Sequence, residues 1–351
     1  MDSLDLSSID IYNTPVVPPP EGVTPDFDPS WTQVQVATII VFGVTYSLAT
    51  ATQVLRYITS TFIVKALELD VVLVTLSWLT SLGYFISVAM CMHHGWGRHA
   101  WNVSIAEAAN YNNYLLPITI TYIWCPTLAK LAILSVLHRI SNSLWFRGFL
   151  YFIVLTLVAY TTTFTGLLAG TCNPRELGSG ICLNNIAIAQ VALNIWSDVA
   201  IILLPIPTIL RLHLPLRQRL VIAGILTLGS AVLITSIVRA PYIQILAESP
   251  DFSLKQAEAG VWSIVELNLG IVCANLMRMK PFLRRYLPVF LEKLGFSLGK
   301  SRVRMNGKHS HSFQLHSIEA PRLQDGASRD CVAGVQGVQR DDGSTESILR
   351  R

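Results

Sequence analysis

Four ionisable residues interrupt long apolar runs of the sequence: Lys130, Asp198, Arg239 and Glu266. An aspartate or lysine in the middle of a membrane helix costs roughly 2.5 to 3.5 kcal/mol unless it is paired or hydrated. Opposite charges at one depth would neutralise each other, and a desolvated carboxyl group such as that of Glu266 could instead stay protonated and act as an acid. These residue types therefore predict either a polar pocket inside a helix bundle or polar contacts between its helices.

Three histidines also lie close together, in the segment CMHHGWGRH: His93, His94 and His99. A zinc site needs more ligands of suitable type than two adjacent histidines and a third can supply. Gly95 and Gly97, which lie between them, are typical of turns. The segment is predicted to be a turn at a membrane surface, and no metal site is expected.

The composition indicates that a membrane surrounds most of the chain. Of its 351 residues, 52% are hydrophobic and 14% are charged, against roughly 25% charged in soluble domains. These values exclude a soluble enzyme or a disordered chain for the bulk of the protein. The basic residues lie beside apolar runs without interleaved aromatic residues, so no nucleic-acid partner is expected. The lipid bilayer is the predicted partner.

Seven apolar runs follow Trp31, and each has the length of about 20 residues that crosses about 30 Å of hydrocarbon as a helix. The chain is therefore predicted to be an all-α, polytopic membrane protein with seven transmembrane helices. The predicted spans are 34–55, 70–91, 113–137, 148–170, 184–210, 219–242 and 258–279.

The composition changes on both sides of these spans. Residues 1–32 form an acidic, proline-rich leader that is expected to be extended and exposed outside the cytoplasm. Residues 33–285 form the seven-helix domain, and residues 286–351 are predicted to be a basic and then disordered cytoplasmic tail. The segment 282–296 mixes apolar and basic residues and is expected either to lie on the inner leaflet or to be a plain flank of the last helix.

Basic residues are distributed unevenly between the loops. The leader contains no Lys or Arg, and the second, fourth and sixth links contain one each, whereas the alternate links and the region after the seventh run contain several. Lys and Arg are concentrated on the cytoplasmic side of membrane proteins. The amino terminus is therefore predicted to lie outside and the carboxyl terminus in the cytoplasm.

This orientation places three residues with distinct chemistry on the outer side. Cys172 and Cys182 bracket a short polar loop there, and a disulfide between them is expected because that compartment is oxidising. The bond would restrict the entrance between helices four and five. Asn102 begins an Asn-Val-Ser sequon in the second link and is a candidate N-glycosylation site.

The orientation also gives the four ionisable residues expected depths. Lys130 lies in the inner half of the third span and Asp198 just below the middle of the fifth, so these two residues can pair. Glu266 lies near the middle of the seventh span and Arg239 near the outer end of the sixth. Asn194 precedes Asp198 by one helical turn, and it is expected to support that carboxylate from the same helix face.

Two familiar classes of seven-helix protein do not fit the sequence. Retinal needs a Schiff-base lysine in the seventh helix, and residues 261–277 contain none, so no bound retinal is expected. The seventh run lacks an Asn-Pro-x-x-Tyr motif, and Leu137-His138-Arg139 stands where an Asp-Arg-Tyr motif would follow the third run. The signatures of ordinary G-protein-coupled receptors are thus absent.

Ordered motifs across about residues 30–285 resemble a fungal family. They are GWGRH (95–99), KLAILSVLHR (130–139), Cys172-Asn173-Pro174, SDVAIILLPIP (197–207), LRQR (216–219), GSAVLITSIVR (229–239) and VELNLGIVCA (265–274). The chain resembles the fungal rhodopsin-like integral membrane proteins, which include the satratoxin-cluster membrane protein family and are related to the membrane region of Pth11-type receptors. The resemblance implies a seven-helix bundle without retinal and frequent linkage to secondary-metabolite gene clusters.

Three functions follow as hypotheses. The first is a membrane protein that binds a small apolar molecule, such as a pathway metabolite, as an accessory to secondary-metabolite or mycotoxin biosynthesis. The second is a receptor-like sensor that signals through its cytoplasmic loops and tail. The third is a membrane-embedded cyclase or isomerase in which Glu266 or Asp198 protonates a substrate. A role other than catalysis is the leading expectation.

The predicted orientation can be tested with tags and with the sequon. The membrane can be the plasma membrane or an endomembrane, so the test uses sealed microsomes, whose cytoplasmic face is outermost. We expect protease to remove a carboxyl-terminal tag from them and an amino-terminal tag only after detergent is added. N-glycosidase should raise the gel mobility of the wild-type protein and leave Asn102→Gln unchanged. Both tags on one face would contradict an odd number of membrane crossings.

Overall fold

Seven long helices make up most of the protein in a computed structural model, which describes residues 10–27, 30–64, 68–139, 143–175, 180–207 and 216–278. The predicted segment 282–296 and tail 286–351 lie outside the described residues. The helices are α1 Gln33–Ile58, α2 Leu69–Met92, α3 Ile105–His138, α4 Leu144–Ala169, α5 Gly180–Leu203, α6 Leu216–Glu248 and α7 Phe252–Arg278. A π-helical turn, Thr59–Val64, extends α1, and a 3-10 turn, Ala100–Asn102, precedes α3.

In the described ranges, seven helices are long and apolar enough to cross a membrane. The same ranges contain no strand, only an isolated bridge between Pro15 and Ser104. The predicted all-α, seven-helix architecture is confirmed. The end of the bundle at which α1 begins is called the leader end below, and the end at which α7 finishes is called the far end; the leader end is predicted to face outward.

Several helices begin or end at residues that differ from the limits of the apolar runs. α3 begins at Ile105 because Ser104 and Glu107 form a capping box, in which each side chain satisfies the other's backbone N–H. α5 ends at Leu203, two residues before Pro205, as expected from the donor that proline lacks. α6 continues past its predicted end to Glu248, which places Arg239 deeper in the bundle than expected.

The bundle is apolar on its outside and holds charges inside. Leu155 and Val44 are 69% and 67% exposed, whereas Arg56 and Asp70 are fully buried and Glu266 is 1% exposed. Soluble proteins have the opposite arrangement, since they almost never bury such side chains completely unless these are paired. Hydrocarbon around the helices explains both observations.

A glycine-flanked tryptophan closes the leader end. Gly95 and Gly97 adopt φ angles of 97° and 81°, which residues other than glycine rarely adopt. Trp96 between them is 1% exposed. The backbone oxygen of Trp96 accepts a 2.7 Å hydrogen bond from Gln35, and that of Gly95 accepts one of 2.6 Å from Ser253. The predicted turn therefore joins the beginnings of α1 and α7.

The described part of the leader is hydrogen-bonded to the bundle, a contact that its composition did not predict. The amide of Val16 donates to the Val103 oxygen at 3.0 Å, and the amide of Ile105 donates to the Thr14 oxygen at 3.1 Å. These bonds satisfy backbone groups of the link before α3. Composition does not predict these hydrogen bonds, because it carries no information on which backbone groups pair.

Replacing Gly260 should destabilise the bundle because Trp96 occupies the space beside it. A Cβ atom at Gly260 would lie 2.8 Å from the Trp96 ring, whereas one at Gly270 would meet nothing within 4 Å. We expect Gly260→Ala to lower the free energy of unfolding by about 1 to 3 kcal/mol. Gly270→Ala on the same helix should be neutral or stabilising by up to about 1 kcal/mol. Unfolding in detergent measures both; equal effects would contradict the packing described.

Candidate functional site

The four predicted residues lie together in the middle of the bundle. With their polar neighbours they form what is called here the central polar cluster, contributed by α3, α5, α6 and α7. Its members are Tyr122, Lys130, Asn194, Ser197, Asp198, Ser236, Arg239 and Glu266.

Lys130 and Asp198 form a buried ion pair between α3 and α5. Lys130 Nζ lies 2.8 Å from Asp198 Oδ1. The ammonium also donates to Asn194 Oδ1 at 2.7 Å and to Ser197 Oγ at 2.8 Å. Its three donors can thus be satisfied inside the protein, as an ammonium group in hydrocarbon requires.

Glu266 is surrounded by donors. Its Oε1 accepts from Asn194 Nδ2 at 2.5 Å and from Ser236 Oγ at 2.6 Å. Its Oε2 accepts from Tyr122 OH at 3.0 Å and lies 3.1 Å from Arg239 Nε. Each of these four groups can donate to a carboxylate oxygen.

Asn194 and Ser236 join the two ion pairs into one network. Asn194 contacts both Lys130 and Glu266, and Ser236 Oγ lies 3.2 Å from Asp198 Oδ2 as well as near Glu266. Asn194 was expected to support Asp198 on its own helix, but its side chain reaches across to α3 and α7 instead. Spacing along one helix does not specify such contacts between helices.

A second group of charges, called here the far-end ionic cluster, was not predicted as a site. Arg56 and Asp70 are fully buried and lie 2.6 Å apart, Nη2 to Oδ2. Arg56 also donates to the Ala274 oxygen at 2.9 Å and to Asn275 Oδ1 at 3.2 Å. Arg278 Nη1 lies 3.3 Å from Asp70 Oδ2. The cluster thus connects α1, α2 and α7.

Glu68 extends the far-end ionic cluster to α3. Its carboxylate forms ion pairs with Arg139 and Arg278, and the hydrogen bond from Arg139 lowers the pKa of Glu68 below its usual value. In the sequence, Arg56 counts among the basic residues of the links that indicate orientation, and Arg139 also belongs to the motif that follows the third run. The signal that could have identified the cluster is the acidic pair Glu68 and Asp70 at the start of α2, on the same side of the membrane.

A cavity of about 580 Å³ lies toward the leader end between α3, α4, α5, α6 and α7. Its walls are mainly aliphatic, with Leu115, Ile186 and Ile243 among them, and Gln190 and Gln256 are the longest polar side chains. The charged members of the central polar cluster are not among its lining residues. Of the two alternatives left open by the sequence, the four ionisable residues form polar contacts between helices, and the cavity is lined by other, mostly apolar residues.

The predicted cysteines and asparagine lie at the leader end. Cys172 and Cys182 are joined by a disulfide, with their Cα atoms 5.7 Å apart, and Pro174 and Gly180 between them line the cavity. Asn102 Oδ1 accepts a 3.2 Å hydrogen bond from the amide of Asp26. Its glycosylation stays a prediction.

In the histidine segment, His99 makes contacts that connect the turn to the beginning of α7. His99 Nδ1 lies 2.6 Å from Asp251 Oδ2, and its ring stacks on Trp101 at 4.3 Å between centroids. Within the described ranges, no group of three His, Cys, Asp or Glu residues is placed to hold a metal ion.

The seventh helix is longer than predicted and contains a lysine. α7 begins at Phe252 and so includes Lys255 in its first turn, where the predicted span began at residue 258. Lys255 Nζ lies 3.0 Å from Glu258 Oε2 and is about one third exposed. The premise that the seventh helix has no lysine is therefore wrong for its first turn and correct for residues 261–277.

An apolar seven-helix bundle with ion pairs buried inside it defines a multi-pass integral membrane protein. Comparison with protein families is more specific: the fungal rhodopsin domain matches residues 55–285. The chain belongs to this family, as the sequence motifs predicted.

Two characterised relatives are similar to parts of the chain. The Fugralins biosynthesis cluster protein 2 of Gibberella zeae is 23% identical over 290 residues, which are 76% of this chain and 70% of that protein. The Receptor GIN3 of Arthrobotrys oligospora is 27% identical over 124 residues, which are 34% of this chain and 29% of the receptor. No solved structure matches the chain.

The pairing of Lys130 with Asp198 can be tested by a double-mutant cycle. Lys130→Met should lower the free energy of unfolding by about 3 to 5 kcal/mol, because it leaves a carboxylate unpaired in a low-dielectric interior. Adding Asp198→Leu should restore part of that loss, since an apolar pair of similar volume is tolerated. The check is thermal unfolding in detergent. If the free-energy losses of the two single variants simply added in the double variant, the pairing would be contradicted.

Proposed function

We propose that the protein binds a small, largely apolar molecule in the leader-end cavity and serves a secondary-metabolite pathway. The cavity itself carries this proposal. Its volume of about 580 Å³ falls within the range of about 300 to 1,000 Å³ that is typical of small-molecule sites, and aliphatic walls with a few polar groups are the usual lining of such sites.

The pathway part of the proposal is supported by a relative. The protein of Gibberella zeae that is 23% identical to this chain is named as a biosynthesis cluster protein. We infer that the ligand is a metabolite of such a pathway or one of its precursors. The bilayer would deliver it, because apolar molecules concentrate in hydrocarbon.

A receptor-like role is the second candidate, and it uses the same cavity. The similarity to a fungal receptor supports it, as does the position of the far-end ionic cluster. That cluster joins α1, α2, α3 and α7 on the face predicted to be cytoplasmic. A ligand that shifted these helices would change the surface presented there.

A membrane-embedded enzyme receives less support. Acid catalysis needs a carboxyl group that touches the substrate, and neither Asp198 nor Glu266 lines the cavity. Both carboxylates are engaged by Lys130 or Arg239. We also propose that the protein works without retinal, because Lys255, in the first turn of α7, is partly exposed and paired with Glu258.

Blocking the cavity should abolish the function. Ala187 on α5 lines the cavity, whereas Ala192 on the same helix is exposed on the outside of the bundle. Deleting the gene in its source fungus should change the abundance of at least one secondary metabolite. We expect wild type and Ala192→Trp to restore the metabolite profile and Ala187→Trp to fail, because its indole ring would fill the cavity.

The measurement is mass spectrometry of culture extracts, with the amount of each variant in membranes checked by immunoblot. A profile unchanged by deletion would contradict the pathway role. Restoration by Ala187→Trp at wild-type protein levels would contradict the use of the cavity.

A further inference from the structure

Gln190 is a buried glutamine whose carboxamide is unused within the described part of the protein. It lies on α5, lines the leader-end cavity and is 7% exposed. Its side chain forms no hydrogen bond with another described residue. Asn194, one helical turn further along α5, uses both ends of the same functional group, toward Lys130 and Glu266. Because buried polar groups in native proteins nearly always have partners, Gln190 requires one from outside the chain.

The carboxamide of Gln190 is open to the cavity. Elsewhere in the bundle, unpartnered polar atoms such as Gln53 Oε1 and Tyr46 OH are sealed by the surrounding protein, but neither amide atom of Gln190 is sealed in this way. Gln190 lies on the buried face of α5, between Ile186 and Asn194, which are one helical turn to either side of it. Ile186 also lines the cavity. The open space that the amide reaches is therefore the cavity.

The described wall of the cavity carries no charge. It contains no Lys, Arg, His, Asp or Glu, and Leu183, Ala187 and Leu246 are further aliphatic members of it. A charged ligand would lose its bonds to water there without gaining an opposite charge, which is strongly unfavourable. The wall therefore suits an uncharged molecule whose surface is mainly hydrocarbon.

The chemistry of a carboxamide specifies the polar group of that molecule. Gln190 offers N–H donors at Nε2 beside a carbonyl acceptor at Oε1. A ketone satisfies the donor and leaves Oε1 without a partner, and a hydrocarbon satisfies neither atom. An amide with its N–H and C=O on the same side, as in a lactam, satisfies both atoms at once through two parallel hydrogen bonds.

The other carboxamides of the wall lie nearer the leader end. Asn184 precedes Gln190 by six residues, which is about 9 Å along a helix. Gln256 lies in the second turn of α7, and its side-chain oxygen accepts a 2.8 Å hydrogen bond from Tyr111. Both side chains are partly exposed, so water can reach them from the membrane surface. Gln190 is the deepest of the three and would hold the inner end of a ligand.

We propose that the cavity selects an uncharged amide, such as a lactam, on a compact hydrocarbon skeleton, and that Gln190 recognises it. Gln190 Nε2 donates to the carbonyl oxygen of the ligand, and Gln190 Oε1 accepts from its N–H. The hydrocarbon skeleton lies against the aliphatic wall. This inference rests on the proposed function, since it assigns a ligand class to the same cavity.

Three bicyclic probes test the proposal: the lactam decahydroquinolin-2-one, its N-methyl derivative, and decahydroquinoline, an amine that is cationic at neutral pH. Binding is measured by equilibrium dialysis of the protein in lipid nanodiscs, with empty nanodiscs as the blank. We expect wild type to bind the lactam about tenfold more tightly than its N-methyl derivative, because the methyl group removes the N–H and leaves Gln190 Oε1 without a partner. The amine should bind more weakly than the lactam.

Two matched variants assign the preference to one residue. Gln190→Met removes the carboxamide and keeps an unbranched side chain of similar length, so the preference for the lactam over its N-methyl derivative should disappear. Gln53→Met makes the same replacement at a buried glutamine on α1 that does not line the cavity, and it should keep the preference.

Thermal unfolding separates recognition of a ligand from a structural role of Gln190. Without ligand, Gln190→Met should unfold at the same temperature as wild type or at a higher one, because it removes a buried polar group that has no partner. The lactam should raise the unfolding temperature of wild type and leave that of Gln190→Met unchanged.

Three results would overturn the amide inference and leave the cavity in place. The first is equal binding of the lactam and its N-methyl derivative by wild type, with both lost in Ala187→Trp; water would then be the partner of Gln190. The second is a preference that persists in Gln190→Met or is lost in Gln53→Met. The third is a lower unfolding temperature of Gln190→Met without ligand, which would assign the amide a structural role.

Other results would contradict the nature of the site. Tighter binding of the cationic amine than of the lactam would overturn the selection of uncharged molecules. Lactam binding that Ala187→Trp does not weaken, or no binding of any probe to wild type, would overturn the cavity itself and with it the proposed function.

Discussion

A charge placed in hydrocarbon must meet an opposite charge or enough hydrogen-bond partners, and this requirement organises the bundle. The central polar cluster connects α3, α5, α6 and α7, and the far-end ionic cluster connects α1, α2, α3 and α7. Only α3 and α7 enter both clusters as defined here. These two helices therefore form the framework on which the others are arranged. α4 packs against α3 through apolar side chains and through hydrogen bonds such as those between Thr127 and Thr161 and between Trp124 and Thr165.

The features that the sequence predicts well depend on distance along one chain. Seven helices follow from run length, since about 20 residues are needed to cross hydrocarbon. The pairing of Lys130 with Asp198 follows from their similar depths in separate helices. The turn at Gly95 and Gly97 follows from local backbone preference, and the structure gives both residues positive φ angles.

The features that were missed depend on how the helices face each other. The depth of Asn194 was predictable, but its contacts with Lys130 and Glu266 require the rotation of α5 about its axis. Arg56 lies near the end of an apolar run, where a basic residue ordinarily meets lipid headgroups. Its burial depends on the approach of α2 and α7, which carry Asp70 and Asn275. The cavity is the space left between five helices, so no single segment encodes it.

The disulfide between Cys172 and Cys182 encloses the segment that gives Pro174 and Gly180 to the cavity wall. With the predicted orientation, this wall is fixed only once the chain has entered the oxidising lumen of the secretory route. Newly inserted copies and mature copies would then differ at the cavity although their membrane spans are the same. The final shape of the cavity wall would in this sense be acquired during maturation of the protein, after its helices are already in the membrane.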